Sequence, residues 1–226
     1  MSSDSFMQKD ESFLGEENEE IELTPAEALE QLEVTWRNEL LAPELLPHRS
    51  DLVESVLDQI REVDENTKKA EKGTIDVTLR KMEADRIRFV VTSYLRCRLQ
   101  KIEKYVFHVV SEDEKRKRDG FEVKMCSGEI RFAIEYRTHL EEYIQAIALQ
   151  KMPVNAQKLD REKIASRPNL DHFVLVRMQE KVPDVTIPNT ADESREIQVD
   201  LDINSQHIMP YKIAYPLIQS GSAYLL

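Results

Sequence analysis

The chain has 226 residues, 41% of them apolar and 33% charged, which is enough apolar content for a packed core and too much for overall disorder. No apolar run approaches the roughly 18–20 residues that cross a bilayer, so no membrane span is expected. The net charge of −12 is unevenly placed: residues 1–46 hold thirteen acidic groups against Lys9 and Arg37, while residues 80–118 hold twelve basic groups against six acidic ones. Wrapping of nucleic acid along the acidic front is thereby excluded, because phosphate binding needs positive charge.

The start, Met1-Ser-Ser-Asp4, lacks the basic and apolar segments of a secretory signal. Two cysteines, Cys97 and Cys126, form no spacing pattern, and reduced thiols in the cytosol or nucleus are the expectation. Residues 1–22 read as a flexible acidic tail. Thr24-Pro25-Ala26-Glu27 then predicts a helix start: Thr24 caps, Pro25 suits the first helical position and Glu27 completes a capping box. That helix carries Leu29, Leu32 and Trp36 on one side and stops before Pro43.

Ser50-Asp51 caps a second helix, with Leu52, Val53, Val56, Leu57, Ile60 and Val63 at spacings of three and four, and Gly73 ends it. A third and longest helix is predicted from about Asp76 to Val109. Its middle, Ile87 to Leu95, has Arg88 as its one charged residue, so it is apolar nearly all round and must be buried by neighbours on several sides. Residues 111–128 read as a charged loop. Ser127 opens a fourth helix to about Met152, carrying Ile130, Ile134, Tyr136, Leu140, Tyr143, Ile144 and Ile147.

The pattern changes after Met152-Pro153. Phe173-Val-Leu-Val176 is a short β-type run, and Val185 and Ile187 lie between Pro183 and Pro188. Ile197, Val199 and Leu201 alternate with Glu196, Gln198 and Asp200 as a half-buried strand does. Ile208-Met209 follows, then a short helix around Pro216–Gln219 closed by Gly221, and a last strand Tyr224–Leu226. The expected fold is mainly α: an N-terminal bundle of about four long helices (23–152), a linker (153–170) and a small β-rich C-terminal domain (171–226). A β module this small buries little surface alone and should lean on its own helices or on a partner.

Motifs for catalysis are absent. The five glycines are far apart and form no phosphate-cradling loop. Histidines 48, 108, 139, 172 and 207 make no pair at ligand spacing, and no metal or cofactor is expected. Ser220-Gly-Ser222 superficially resembles a nucleophile turn but reads as a helix stop before the last strand. No enzyme is expected. Within the basic middle, Arg96 and Arg98 lie roughly 160° apart on a helix, too far to face one ligand. Each is expected to meet a carboxylate on a different neighbouring helix. Lys115-Arg-Lys-Arg118 reads as a solvated loop balanced by Glu112-Asp-Glu114. Direct DNA binding through residues 80–118 is the alternative reading.

Several segments carry a more specific resemblance: Leu23-Thr-Pro-Ala-Glu27, Trp36-Arg-Asn-Glu39, Ala42-Pro-Glu-Leu-Leu46, the long run Met82 to Lys104, Ala148-Leu-Gln-Lys-Met-Pro153, Val199-Asp-Leu201, Ser205-Gln-His207, Tyr211-Lys212 and Ser220-Gly-Ser-Ala223. In this order, over about residues 21–226, the chain resembles the Sld-five-type subunit of the eukaryotic GINS complex. It departs from the family pattern in the tail and over 111–128 and 181–195.

The resemblance implies a non-catalytic subunit of a nuclear heterotetramer with three sister GINS subunits. That tetramer joins the MCM ring and the Cdc-forty-five protein in the replicative helicase, acting in initiation and elongation of DNA replication. DNA polymerase epsilon is reached through the complex, and DNA contact by the chain itself is at most weak. The interface expected on the third helix comprises Tyr94, Leu95, Arg96, Arg98, Leu99, Ile102 and Tyr105, shared between the bundle core and a sister subunit. The terminal module is expected to present Tyr211, Tyr224, Leu225 and Leu226 to the tetramer. Asp10, Glu11, Phe13 and Leu14 form an acidic stretch with two apolar anchors, suited to docking on a replisome adaptor hub.

Overall fold

The structure, a computed structural model, describes residues 24–69, 74–153, 155, 157–188 and 196–226. Helix α1 (Pro25–Leu41) begins as the sequence predicts: the Thr24 amide donates to the Glu27 carboxylate at 2.9 Å, and the Glu27 amide donates back to Thr24 Oγ1 at 3.4 Å. Helices α2 (Ser50–Lys69) and α3 (Ile75–Lys104) pack with α1 around Leu32, Val56, Ile60, Val90, Val91 and Tyr94. Trp36 ties α1 to α3 through an indole N–H donated to Ser93 Oγ at 3.0 Å.

The predicted single helix 76–109 is in fact two. The chain breaks from helical geometry at Tyr105 (φ −119°, ψ 26°) and resumes as α4 (Val106–Arg118). Residues 111–118, expected in a loop, are therefore helical. Acidic residues followed by Lys115-Arg-Lys-Arg118 place cations at the helix C-terminus, where the dipole favours them. Gly120 supplies the stop at φ 75°, and the Phe121 amide donates to the Arg116 carbonyl at 2.8 Å, closing a Schellman motif. Helix α5 (Ser127–Ile147) packs with α4 and the end of α3 around Leu45, Ile102, Val106, Val109, Met125 and Ala133. A 3₁₀ turn (Leu149–Lys151) and the short α6 (Arg161–Ile164) lead out of the bundle.

The C-terminal part contains β1 (Phe173–Met178), β2 (Val182–Pro188), β3 (Glu196–Leu201), β4 (Gln206–Pro210), α7 (Tyr211–Gln219) and β5 (Ala223–Leu225). Strand β1 pairs antiparallel with β4 on one side and β5 on the other, while β2 and β3 form a separate hairpin with a register shift between Val182 and Val185. Helix α7 starts at Tyr211, earlier than the expected Pro216.

The β part does lean on the helices. Ala42 and Leu46, from the α1–α2 connection, belong to the same core as Val176, Met178, Leu201, Met209, Tyr211 and Leu225. The Leu225 amide donates to Asn38 Oδ1 at 2.8 Å, and the Arg37 guanidinium sits 5.1 Å from the Tyr224 ring centre. A strand too short to stand alone is thus anchored to α1 by a buried hydrogen bond.

Candidate interaction surface

Helix α3 runs through the bundle, and its residues divide into one face that holds the chain together and another that nothing among the described residues covers. The inner face is organised by Arg98, which is 1% exposed. Its Nε and Nη2 donate to the two Glu129 oxygens at 2.7 and 2.8 Å, a two-pronged fork onto the first turn of α5. Nη1 donates to Glu39 Oε2 of α1 at 3.2 Å and to the Leu46 carbonyl at 2.8 Å, and Nη2 also reaches the Lys124 carbonyl at 2.9 Å. All five guanidinium donors are used.

Neighbouring charges continue the network. Lys101 Nζ donates to Glu39 Oε1 and to the Glu44 carbonyl, both at 2.8 Å, and also to the Glu39 carbonyl. Lys124 Nζ pairs with Glu44 at 2.8 Å and Glu112 at 2.9 Å. Burial alone would raise the Glu129 carboxyl, but the Arg98 hydrogen bonds and charge, with the Cys126 amide, hold it below the usual carboxylate range. Burial opposes charge on Lys124 too, and Glu44 and Glu112 overcome it, so its ammonium is held above the usual range. Burial pushes the Tyr94 phenol up to about 12 and raises the Cys97 thiol, so neither ionises readily. The cluster clamps α1, α5, the α1–α2 connection and the loop before α5 to α3; with its donors consumed and its arginine sealed from solvent, it suits cohesion rather than chemistry.

The outer face of α3 is different. Ile75 is 76% exposed, Met82 65% and Phe89 64%, with Leu79 beside them. At 100° per residue these four lie within about 80° of one another, roughly opposite Val91 and Arg98. Phe89 meets the edge of Trp36, ring centres 6.3 Å apart, and Ile75, Leu79 and Met82 stand clear. Further along, Leu95 and Leu99 are exposed on an adjacent face, and Leu40 and Leu41 are exposed at the end of α1.

The expected interface residues separate accordingly. Tyr94, Arg98, Ile102, Tyr211 and Leu225 are buried inside the chain's own cores. The physical reason is that α1, α5 and the β module already occupy the space around them. Leu95, Arg96, Leu99 and Leu226 lie at the surface, with Tyr105 and Tyr224 half-buried. Arg98 does meet carboxylates on two neighbouring helices as expected, but Arg96 meets none among the described residues. Asp10, Glu11, Phe13 and Leu14 lie outside the described residues.

The outer stripe of Ile75, Leu79, Met82 and Phe89 was missed in the sequence, although their spacing of four, three and seven is itself a helical ladder. Within the basic segment, Arg86 pairs with Glu33 at 2.9 Å and Glu83 at 2.7 Å, and Arg88 pairs with Asp85 at 2.5 Å and with Asp64. Ser220 and Ser222 bond to each other at 3.1 Å, and Ser222 donates to Glu180 at 3.1 Å, beside Gly221 at φ 80°. That is the geometry of a helix stop. Among the described residues no group of His, Cys, Asp and Glu is placed to hold a metal ion, and no helix is long and apolar enough to cross a membrane.

Residues 51–148 match the family model described as the GINS complex protein helical bundle domain, and residues 168–226 match that described as the DNA replication complex GINS protein SLD5 C-terminus. The chain is similar to the DNA replication complex GINS protein SLD5 of Mus musculus, 42% identical over 209 residues that cover 92% of this chain and 93% of the relative. The Homo sapiens protein of that name is 39% identical over 224 residues, covering 97% and 100%. That of Arabidopsis thaliana is 31% identical over 209 residues, covering 88% and 90%.

Proposed function

The chain belongs to the SLD5 family of DNA replication complex GINS proteins, and we propose that it acts as a non-catalytic structural subunit of a GINS heterotetramer with three sister subunits. In this reading a helical domain (23–152) and a β-rich domain (171–226), joined by the linker 153–170, present surfaces for assembly in the nucleus. Through the tetramer the chain takes part in the replicative helicase with the MCM ring and the Cdc-forty-five protein, and DNA polymerase epsilon is reached through the complex. An adaptor hub would be met by the tail carrying Phe13 and Leu14.

The observation that supports this best is the second apolar face of α3. The exposed apolar side chains Ile75, Leu79 and Met82 on one face mark a partner surface, and a helix apolar on two opposite sides is one that neighbours cover on both. An obligate assembly of this kind buries more than about 2,000 Å² per interface. The pairing of Arg86 and Arg88 with carboxylates withdraws these two cations from phosphate and so weighs against direct DNA binding through that part of α3.

The test uses Leu79→Glu/Met82→Glu in the full chain, co-expressed with the three sister subunits. Both side chains stand in solvent, so the isolated variant should keep its stability to within about 0.5 kcal/mol per site. Co-purification with the sisters should fail. Undiminished co-purification would show that this face is not the contact.

A further inference from the structure

A groove of about 390 Å³ opens between the start of α1, the second half of α2 and the first half of α3. Its apolar walls are Leu29, Val56, Ile60, Val63 and Ile87, and Pro25, the first residue of α1, stands at its edge. We propose that this groove is the seat of the chain's own segment Ile21-Glu22-Leu23, which lays Ile21 and Leu23 onto its apolar walls.

Three observations converge on that occupant. The groove begins where the chain enters the bundle: Leu23 is two residues before Pro25, and Ile21 lies within about 14 Å of it even with the backbone fully extended. Thr24 is extended (φ −64°, ψ 152°), and a segment that continues from it in β geometry sends alternate side chains to opposite sides. In Glu19-Glu20-Ile21-Glu22-Leu23 this alternation places the two apolar residues on one side and Glu20 and Glu22 on the other. A half-apolar strand so close to an uncovered apolar groove gains the transfer free energy of two aliphatic side chains by lying in it. The charged groups at the rim are Glu62, Glu83, which is bound by Arg86, and Arg80, which meets no carboxylate among the described residues and can receive Glu22. The consequence is a fixed point of departure: the acidic segment before residue 21 leaves the molecule from the α1, α2 and α3 end of the bundle.

The test places a benzoylphenylalanine photo-crosslinker at position 23 of the full-length chain, in the assembled complex, with the cross-linked peptides mapped by mass spectrometry. Cross-links to residues 56–66 or 80–87 of the same chain are expected. Cross-links to another polypeptide, or none, would overturn the proposal and leave the groove to a partner or to solvent. As a second readout, Ile21→Ser/Leu23→Ser should speed amide exchange in residues 59–66 at least roughly tenfold, and Phe13→Ala/Leu14→Ala should leave it unchanged. Equal exchange in wild type and the Ile21→Ser/Leu23→Ser variant would also refute it. Particle mass, read on the same samples, separates this outcome from a failure of assembly itself.

Discussion

Taking a guanidinium and two carboxylates out of water costs several kcal/mol per ion, and a buried cluster offsets this only when its geometry leaves nothing unpaired. Arg98 meets that condition, with Glu129, Glu39 and two backbone carbonyls taking all five of its donors. Removing it leaves Glu129 without a cation in the interior and Glu39 with Lys101 alone. Arg98→Ala should therefore lose about 3–5 kcal/mol, read as a lowered urea midpoint of the isolated chain. Arg98→Lys should rescue little of that, because a lysine has three donors and no planar fork. Acid should act through the same cluster. The Glu129 carboxyl is depressed in the folded state, so its contribution is present above the unfolded value of about 4.3 and disappears as pH falls through the lower folded value. Asp113, raised by burial, works in the opposite direction. Glu129→Gln should thus flatten the acid limb of a stability-against-pH curve measured by urea titration. At this scale the sequence pointed to a carboxylate partner for Arg98, because two arginines two residues apart on a helix must face different neighbours. It could not say that Arg96 is left at the surface, since that depends on which sides of α3 the other helices take.

At the scale of elements, local signals were read well where they carry their own chemistry, as with the capping box of α1. They failed where tertiary context decides. Glu112 to Arg118 is so charged that it reads as loop, yet its order of charge suits a helix end, and Gly120 completes the stop. The apolar middle of α3 predicts neighbours on several sides, and within the chain one side is packed and the other exposed; period alone cannot distinguish a covering neighbour in the same chain from one in another. The last strand shows the converse. Leu225, at the end of the chain, is fully buried, its amide bonded to Asn38. Deleting residues 222–226 removes β5 and opens the core beneath it. The truncated chain should lose amide protection in β1 and α7 even without partners. Retained protection there would show that β5 is peripheral to the module.

For the molecule as a whole, the order of a helical part followed by a small β part was legible in the change from a period of three and four to a period of two after Met152. So was the dependence of the β part on support, since some sixty residues of short strands enclose too little apolar surface. The support comes from Asn38, Ala42 and Leu46 of the same chain, residues whose role no local pattern announces because it arises from contacts far apart in sequence. What stays exposed after the three cores are closed, above all Ile75, Leu79 and Met82, is the surface from which assembly is argued. The most direct test of that account is the mass of the full-length chain by light scattering, alone and co-expressed with the three sister GINS subunits. The account predicts a stable particle holding one copy of each of the four chains; a well-behaved monomer that ignores the sisters would contradict it.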